Sequence, residues 1–193
     1  MNYSKKWSIC ICHVNNPKRA KSLDLLLSEL NRQVRGSGFQ EDIEILVEAD
    51  NGELTVGKKR NHLIEKSAGE YICFIDDDDF IHPNYVEEIF EHLQGGTDMV
   101  FFQIKHLLNG EYHRTIIPSQ HIESTIDSII FTKNYFHLCP HKTEYAEKVQ
   151  FLNVNFMEDI DYSQKMSKHL YFYESIDKHL YIYNDVPLES LTR

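Results

Sequence analysis

One segment constrains the fold more than any other. Tyr71 to Ile75 (YICFI) is an unbroken apolar run, with Gly69 just before it and Asp76, Asp77, Asp78 and Asp79 directly after it. A strand with no polar break is one whose two faces are both covered, as in the middle of a parallel sheet. Around this strand the sequence alternates. Trp7 to Cys12 is a β-prone run that ends in a polar loop, His13 to Arg19. Leu23, Leu26, Leu27, Leu30 and Val34 then recur at helical spacing until Gly36 and Gly38. Ile43 to Val47 reads as a second strand, Asp50 to Gly52 as a turn, and a helix runs through Asn61, Leu63, Ile64 and Ala68. Beyond the aspartates, Asn84 is placed to cap a helix whose inward face is Tyr85, Val86, Ile89, Phe90 and Leu93, and Met99 to Phe102 reads as a fourth strand. This order predicts an α/β fold, a mostly parallel, doubly wound sheet flanked by helices.

The second half is less periodic and reads as a small mixed β region. It holds a hairpin around Asn109-Gly110, a short segment from Ser128 to Lys133 and a helix starting near Glu158. Two short aromatic strands, Tyr171 to Tyr173 and Tyr181 to Tyr183, are expected near the end. With no repeat or linker, 193 residues suit a single domain.

Composition excludes several classes. Hydrophobic residues at 41% and charged residues at 26% argue against disorder. The net charge of -10 disfavours nucleic acid as a partner without excluding it, Lys58-Lys59-Arg60 being a local basic patch. Cys10, Cys12, Cys73 and Cys139 form no CxxC pair and are expected to be free thiols, which fits a reducing cytoplasm. No apolar stretch is long enough to cross a membrane and the N-terminus lacks a signal-peptide core, so a soluble protein is expected.

In such sheets ligands gather at the carboxyl ends of the strands, where His13, Asp50 and Asp76 fall. Four adjacent carboxylates repel one another unless solvent or a cation compensates them. The run is therefore either a solvated acidic loop or a site for Mg²⁺ or Mn²⁺, hard ions that bridge carboxylates to diphosphates. Alternation along an extended chain would turn Asp76 and Asp78 to one cleft, and Asp77 or Asp79 elsewhere.

The stretch GKKRNHLIEKSAGEYICFIDDDDFIHPNYV resembles family 2 glycosyltransferases of the GT-A fold, whose similar stretch has an ARN-like helix start, A-x-G-E-Y, and an apolar strand ending in D-x-D-D. The start SICICHVNNP is similar to that family's SIIIPTYNRP, and Phe156 to Asp161 looks like its E-D motif. The tail, from Tyr181-Ile182-Tyr183 to Ser190-Leu191-Thr192-Arg193, resembles its Y-x-Y and S-x-T-R ending. The resemblance implies one Rossmann-like GT-A domain over 1–193, with a nucleotide-sugar half (1–102) and an acceptor half (103–193). It also implies a nucleoside-diphosphate sugar donor, UDP-linked, and a hydroxyl acceptor such as a glycan, a lipid-linked saccharide or a small molecule.

Carried over residue by residue, Asp50 contacts the base or ribose, Asp76 the ribose, and Asp78 is the main ligand of Mn²⁺ or Mg²⁺. Asp77 joins the nucleotide-sugar contacts, and Lys59 and Arg60 lie near the diphosphate. His13 is a candidate contact to the base, or an ordinary loop histidine. Asp159 is the general base of an inverting displacement, with Glu158, His141 and Arg193 as further acceptor-side or supporting candidates. His137 and His141 flank Cys139-Pro140 in a candidate acceptor loop, where the spacing is irregular for a zinc cluster. Two positions depart from the family. After Asp50 the chain has Asn51-Gly52-Glu53 in place of D-x-S-x-D, and Ile182 stands where a histidine is frequent.

Two other classes compete. A nucleotidyltransferase also uses paired carboxylates on an α/β sheet, but it wants a glycine-rich loop after the first strand, and His13 to Pro17 has no glycine. A non-catalytic nucleotide- or metal-binding module would be expected to lack Asp78 or Asp159, and both are present. Transfer onto a base in DNA is a special case that the acidic charge disfavours, and the chain has none of the membrane helices of processive synthases.

Overall fold

The computed structural model describes residues 3–119, 124–125, 130–134 and 137–185. The first half alternates as expected: β1 (Lys5–Val14), α1 (Pro17–Ser37), β2 (Ile43–Asp50), α2 (Val56–Lys66), β3 (Gly69–Asp76), a short β4 (Phe80–Ile81) and α3 (Tyr85–Leu93). The second half contains β5 (Met99–Leu108), β6 (Glu111–Ser119), β7 (Ser124–Thr125), β8 (Ile130–Asn134), β9 (His141–Lys142), α4 (Thr143–Val149), α5 (Glu158–Met166) and β10 (Tyr173–Asp185).

The strands form one sheet in the order β2-β1-β3-β9-β5-β6-β8-β7, with β10 beside both β4 and β5. β1 pairs in parallel with β2 and β3, and that register puts Val14 beside Asp50 and Cys12 beside Asp76. Residues that bear chemistry are thereby brought to one edge. The sheet centre is less parallel than the sequence suggests. β9 slips in antiparallel between β3 and β5, joining Ile72 to His141 and His141 to Met99. A two-residue strand carries no periodicity, so nothing in the sequence announces it.

Two further readings are corrected. The two aromatic strands are one strand of 13 residues, starting at Tyr173, while Tyr171 and Phe172 lie before it. Register shifts on either side of His179 break its pattern against β5. Asn84 stands at the α3 N-cap but makes no side-chain cap bond. Gln33 from α1 takes that role, its Oε1 accepting from Val86 N at 2.9 Å while its Nε2 donates to the His82 carbonyl. The expected hairpin forms at Asn109-Gly110, both with positive φ. Only the β8 part of the Ser128 to Lys133 reading lies within the described residues.

The core is one cluster that runs from Trp7, Ile9 and Ile11 through Tyr71 to Ile75 and on to Met99–Phe102, Tyr162 and Tyr181. Cys10, Cys73 and Cys139 are buried in it and all four cysteines are free. Burial pushes the Cys12 and Cys73 thiols up to about 12, so both are inert as nucleophiles at neutral pH. No described helix is long and apolar enough to cross a membrane.

α2 does more than cover the sheet. Asn61 clasps the backbone of Phe151 in both directions, accepting from its N at 2.8 Å and donating to its O at 2.9 Å. At the start of α2, Gly57 N donates to Val154 O, Val56 N to Asn155 Oδ1, and Thr55 Oγ1 to Asn153 Oδ1. A Cβ on Gly57 would lie 1.8 Å from Leu152 O, so glycine is required there. This clasp fixes the segment that leads into α5.

Candidate active site

The four aspartates divide by direction. Asp76 and Asp78 are 37% and 39% exposed, whereas Asp77 and Asp79 are buried. Asp79 is bound on both oxygens, by Tyr181 Oη at 2.6 Å and by Asn184 N at 2.8 Å. The Tyr181 hydroxyl also accepts from Asp76 N at 3.2 Å, so β10 fixes the geometry of the run. Burial, then the neighbouring Asp76 charge, pushes the Asp79 carboxyl well up. Asp77 receives His13 Nδ1 at 2.6 Å on one oxygen and Arg19 Nη2 at 3.1 Å on the other. Arg19 also pairs with Asp78.

Several expected nucleotide-sugar contacts turn out to face inward. The His13 ring is committed to Asp77, and its carbonyl accepts from Lys59 Nζ at 2.7 Å. Lys59 is 1% exposed and pairs with Asp50. Its ammonium is thus spent on Asp50 and the His13 carbonyl. Asp77 is likewise buried, with both oxygens engaged by His13 and Arg19. Burial raises the Asp50 carboxyl, but Lys59 and the N–H of Leu54 at 2.6 Å outweigh it and hold the group below its ordinary value.

Arg60 is the link across the site. Almost fully buried, it stacks over Phe151 with its guanidinium carbon 5.1 Å from the ring centre. Nη1 donates to Glu158 Oε1 at 2.8 Å, and Nη2 reaches Asp76 Oδ1 at 3.3 Å and His137 Nε2 at 2.9 Å. A guanidinium only donates, so His137 Nε2 must be the acceptor nitrogen. Burial raises the carboxyls of both Asp76 and Glu158, and Arg60 opposes the shift in each.

Asp76 and Asp159 line one cavity of about 320 Å³, together with His137 and Leu138. The other wall comes from β5, β6 and β10, as Ile104, His106, Arg114, Ile116, Tyr183 and Asp185. Arg114 Nε donates to His106 Nδ1 at 3.2 Å, which leaves the His106 Nε2 hydrogen for Asp185 Oδ2 at 3.2 Å. Burial lowers the His106 pKa, in keeping with this neutral ring.

A family model, glycosyl transferase family 2, matches residues 40–147, more than half of the chain. The chain belongs to glycosyl transferase family 2. Among solved structures, S. aureus TarS 1-349 matches with a TM-score of 0.65 at 16% identity, over 93% of this chain and 60% of that one. The same protein in complex with UDP gives 0.67 at 17% identity, over 93% and 60%. In complex with UDP-GlcNAc it gives 0.65 at 16%, over 93% and 58%. This family member therefore has the GT-A fold and spans about 60% of the length of those structures. No curated protein sequence matches it.

The remaining candidates separate clearly. His141 is completely buried in the sheet centre, between the Cys139 carbonyl at 2.8 Å and the Tyr162 hydroxyl at 2.7 Å. That placement keeps it off the cavity lining, where of its two candidate roles only the supporting one is open to it. Burial lowers its pKa to about 4. Glu158 stands behind the site as the partner of Arg60. Arg193 lies outside the described residues, as does the S-x-T-R ending.

Among the described residues, no three His, Cys, Asp or Glu side chains converge to hold a metal by themselves. Asp76 and Asp78 nonetheless fit Mg²⁺ or Mn²⁺, which take one or two carboxylates and complete their shell with water and phosphate oxygens. Arg19, Arg114 and Asp185 were not singled out in the sequence. Arg19 had a signal: with Lys18, it places positive charge in the first turn of α1, where the helix dipole disfavours it.

Proposed function

We propose that this protein moves one sugar from a nucleoside-diphosphate sugar, UDP-linked, to a hydroxyl acceptor with inversion at the anomeric carbon. The observation that carries this reading is that Asp76 and Asp159 open into one cavity, with Arg60 bound to Asp76 on one side and to Glu158 on the other. Family membership and the TarS complexes with UDP and UDP-GlcNAc support the donor class.

The nucleotide lies over the ends of β1, β2 and β3, with Asp50 and Asp76 toward its base and ribose. His13, Lys59 and Asp77 act from below by fixing those strand ends. Asp78, with Asp76 beside it, would hold Mn²⁺ or Mg²⁺, which would supply positive charge to the departing diphosphate. Asp159 accepts the proton of the acceptor hydroxyl as that oxygen bonds to the anomeric carbon and the bond to the phosphate oxygen breaks. Glu158 and Arg60 hold the first turn of α5 so that Asp159 faces the sugar. The wall formed by His106, Arg114 and Asp185 offers hydrogen bonds to the hydroxyls of the acceptor or of the transferred sugar.

The test is release of UDP from a panel of UDP-sugars, with the anomeric configuration of the product read by NMR. Asp159→Asn is expected to lose about 10²–10⁴-fold in transfer while binding UDP as the parent does. Full transfer by Asp159→Asn, or a product with retained configuration, would overturn the assignment.

A further inference from the structure

The acidic run carries its own counter-ion. Arg19 Nη2 bonds to buried Asp77 Oδ1 at 3.1 Å and also to half-exposed Asp78. These two contacts differ in kind. Asp77 is walled in and shares its other oxygen with His13, so its contact with Arg19 does not lie in the path of a ligand. Asp78 is open, and Arg19 itself is 37% exposed. Nη2 meets both carboxylates, and Asp78, the exposed one, is the partner that can turn away while Asp77 keeps the guanidinium.

Its setting makes the pairing informative. Arg19 sits in the first turn of α1 with Lys18 beside it and no acidic residue in that turn. The helix dipole and the neighbouring cation both oppose a positive charge there. The arginine is kept in place by the aspartates of a different element, and local charge conflicts of this kind concentrate at functional sites. Asp76 and Asp78 repel each other, and Arg19 offsets that repulsion for Asp76 as well. The Coulomb role of Arg19 is thus the one a divalent cation would take.

We infer that Arg19 fills the cation seat of Asp78 in the donor-free protein and must be displaced from Asp78 when a divalent cation binds. This rests on the proposed metal-dependent transfer. Cation alone then competes with a tethered guanidinium and binds weakly. Cation together with a nucleoside diphosphate binds well, because the phosphate oxygens complete its shell. Arg19 is a positioning residue that makes cation binding wait for the donor, so the open carboxylates do not collect free ions.

The test is Mn²⁺ binding measured by the EPR signal of the free ion, with and without UDP, on the whole chain. Variants are Arg19→Ala, Arg19→Gln and Asp78→Ala, each checked by thermal melting. The parent is expected to bind Mn²⁺ at least about tenfold more tightly with UDP than without it. Arg19→Ala and Arg19→Gln are expected to bind Mn²⁺ without UDP about tenfold more tightly than the parent, and Asp78→Ala to bind none in either condition. If the parent binds Mn²⁺ with UDP through Asp78 but neither Arg19 variant gains affinity without UDP, the inference fails and the metal reading stands. If no folded form binds Mn²⁺ even with UDP, the metal reading fails and takes the inference with it.

Discussion

The two walls of the cavity are built in different ways. On one side, Asp50 and the Asp76–Asp79 run sit at the ends of parallel strands, and almost every charge there has a partner: buried Lys59, His13, Arg60 or Tyr181, or part-exposed Arg19. On the other side, His106, Arg114 and Asp185 come from three separate strands, and the segment before Asp159 leaves Phe156 85% exposed and Met157 68% exposed. A rigid, pre-neutralised wall suits one recurring ligand, a nucleotide. An open wall of hydrogen-bonding groups with exposed apolar residues beside it suits a ligand that presents both hydroxyls and apolar surface. Arg60, the clasp of α2 on residues 151–155 and the bonds of Tyr181 and Asn184 to Asp79 tie the two sides together.

Breaking the Arg60 tie should have the largest effect on stability. Arg60→Met leaves the buried Glu158 carboxylate without its cation, and is expected to cost about 3–5 kcal/mol in urea unfolding. Arg60→Met with Glu158→Leu should recover much of that loss, because no unpaired charge remains in the interior. A double variant as unstable as the single one would mean that the packing of Arg60 on Phe151, not the ion pair, joins the walls.

Next in size is an acid limb set by His141. Its folded pKa, about 4, lies below the ordinary value of 6.5, so the unfolded chain takes the proton first as pH falls. Stability from neutral His141 is therefore complete above about pH 6.5 and lost progressively down to about pH 4, by about 3 kcal/mol in all. His141→Gln should flatten this slope in melts between those pH values. An unchanged slope would assign it to other groups.

Gly57→Ala sharpens the comparison with the smallest change. The added methyl meets Leu152 O, so a loss of about 1–3 kcal/mol is expected. Transfer should fall more than UDP binding does, since the displaced segment leads to Asp159. Equal losses in both would show that the clasp serves the donor wall too.

The same contrast explains what was legible in the sequence. The strand-end side is written in contiguous residues: an apolar strand and a run of four aspartates, of which Asp76 and Asp78 are part-exposed and Asp77 and Asp79 buried. The acceptor wall depends on long-range pairing that local pattern does not encode. A regular hairpin at Asn109-Gly110 would put His113 opposite His106, but the register shifts after Leu107 and brings Arg114 there instead. Asp185 reaches His106 only because β10 returns beside β5. Lys59 and His13 were readable as residues at the strand ends, but nothing in their spacing tells an inward from an outward side chain.

The central claim is that the open pair Asp76 and Asp78 receives a metal-bound nucleoside diphosphate, and calorimetric titration of UDP tests it most directly. With GDP and TDP as controls, UDP is expected to bind in the presence of Mn²⁺, to bind far more weakly without it, and to be lost in Asp78→Ala. If no nucleotide binds under any metal condition, the account is contradicted and the aspartate run is a structural knot held by Arg19, Arg60 and Tyr181.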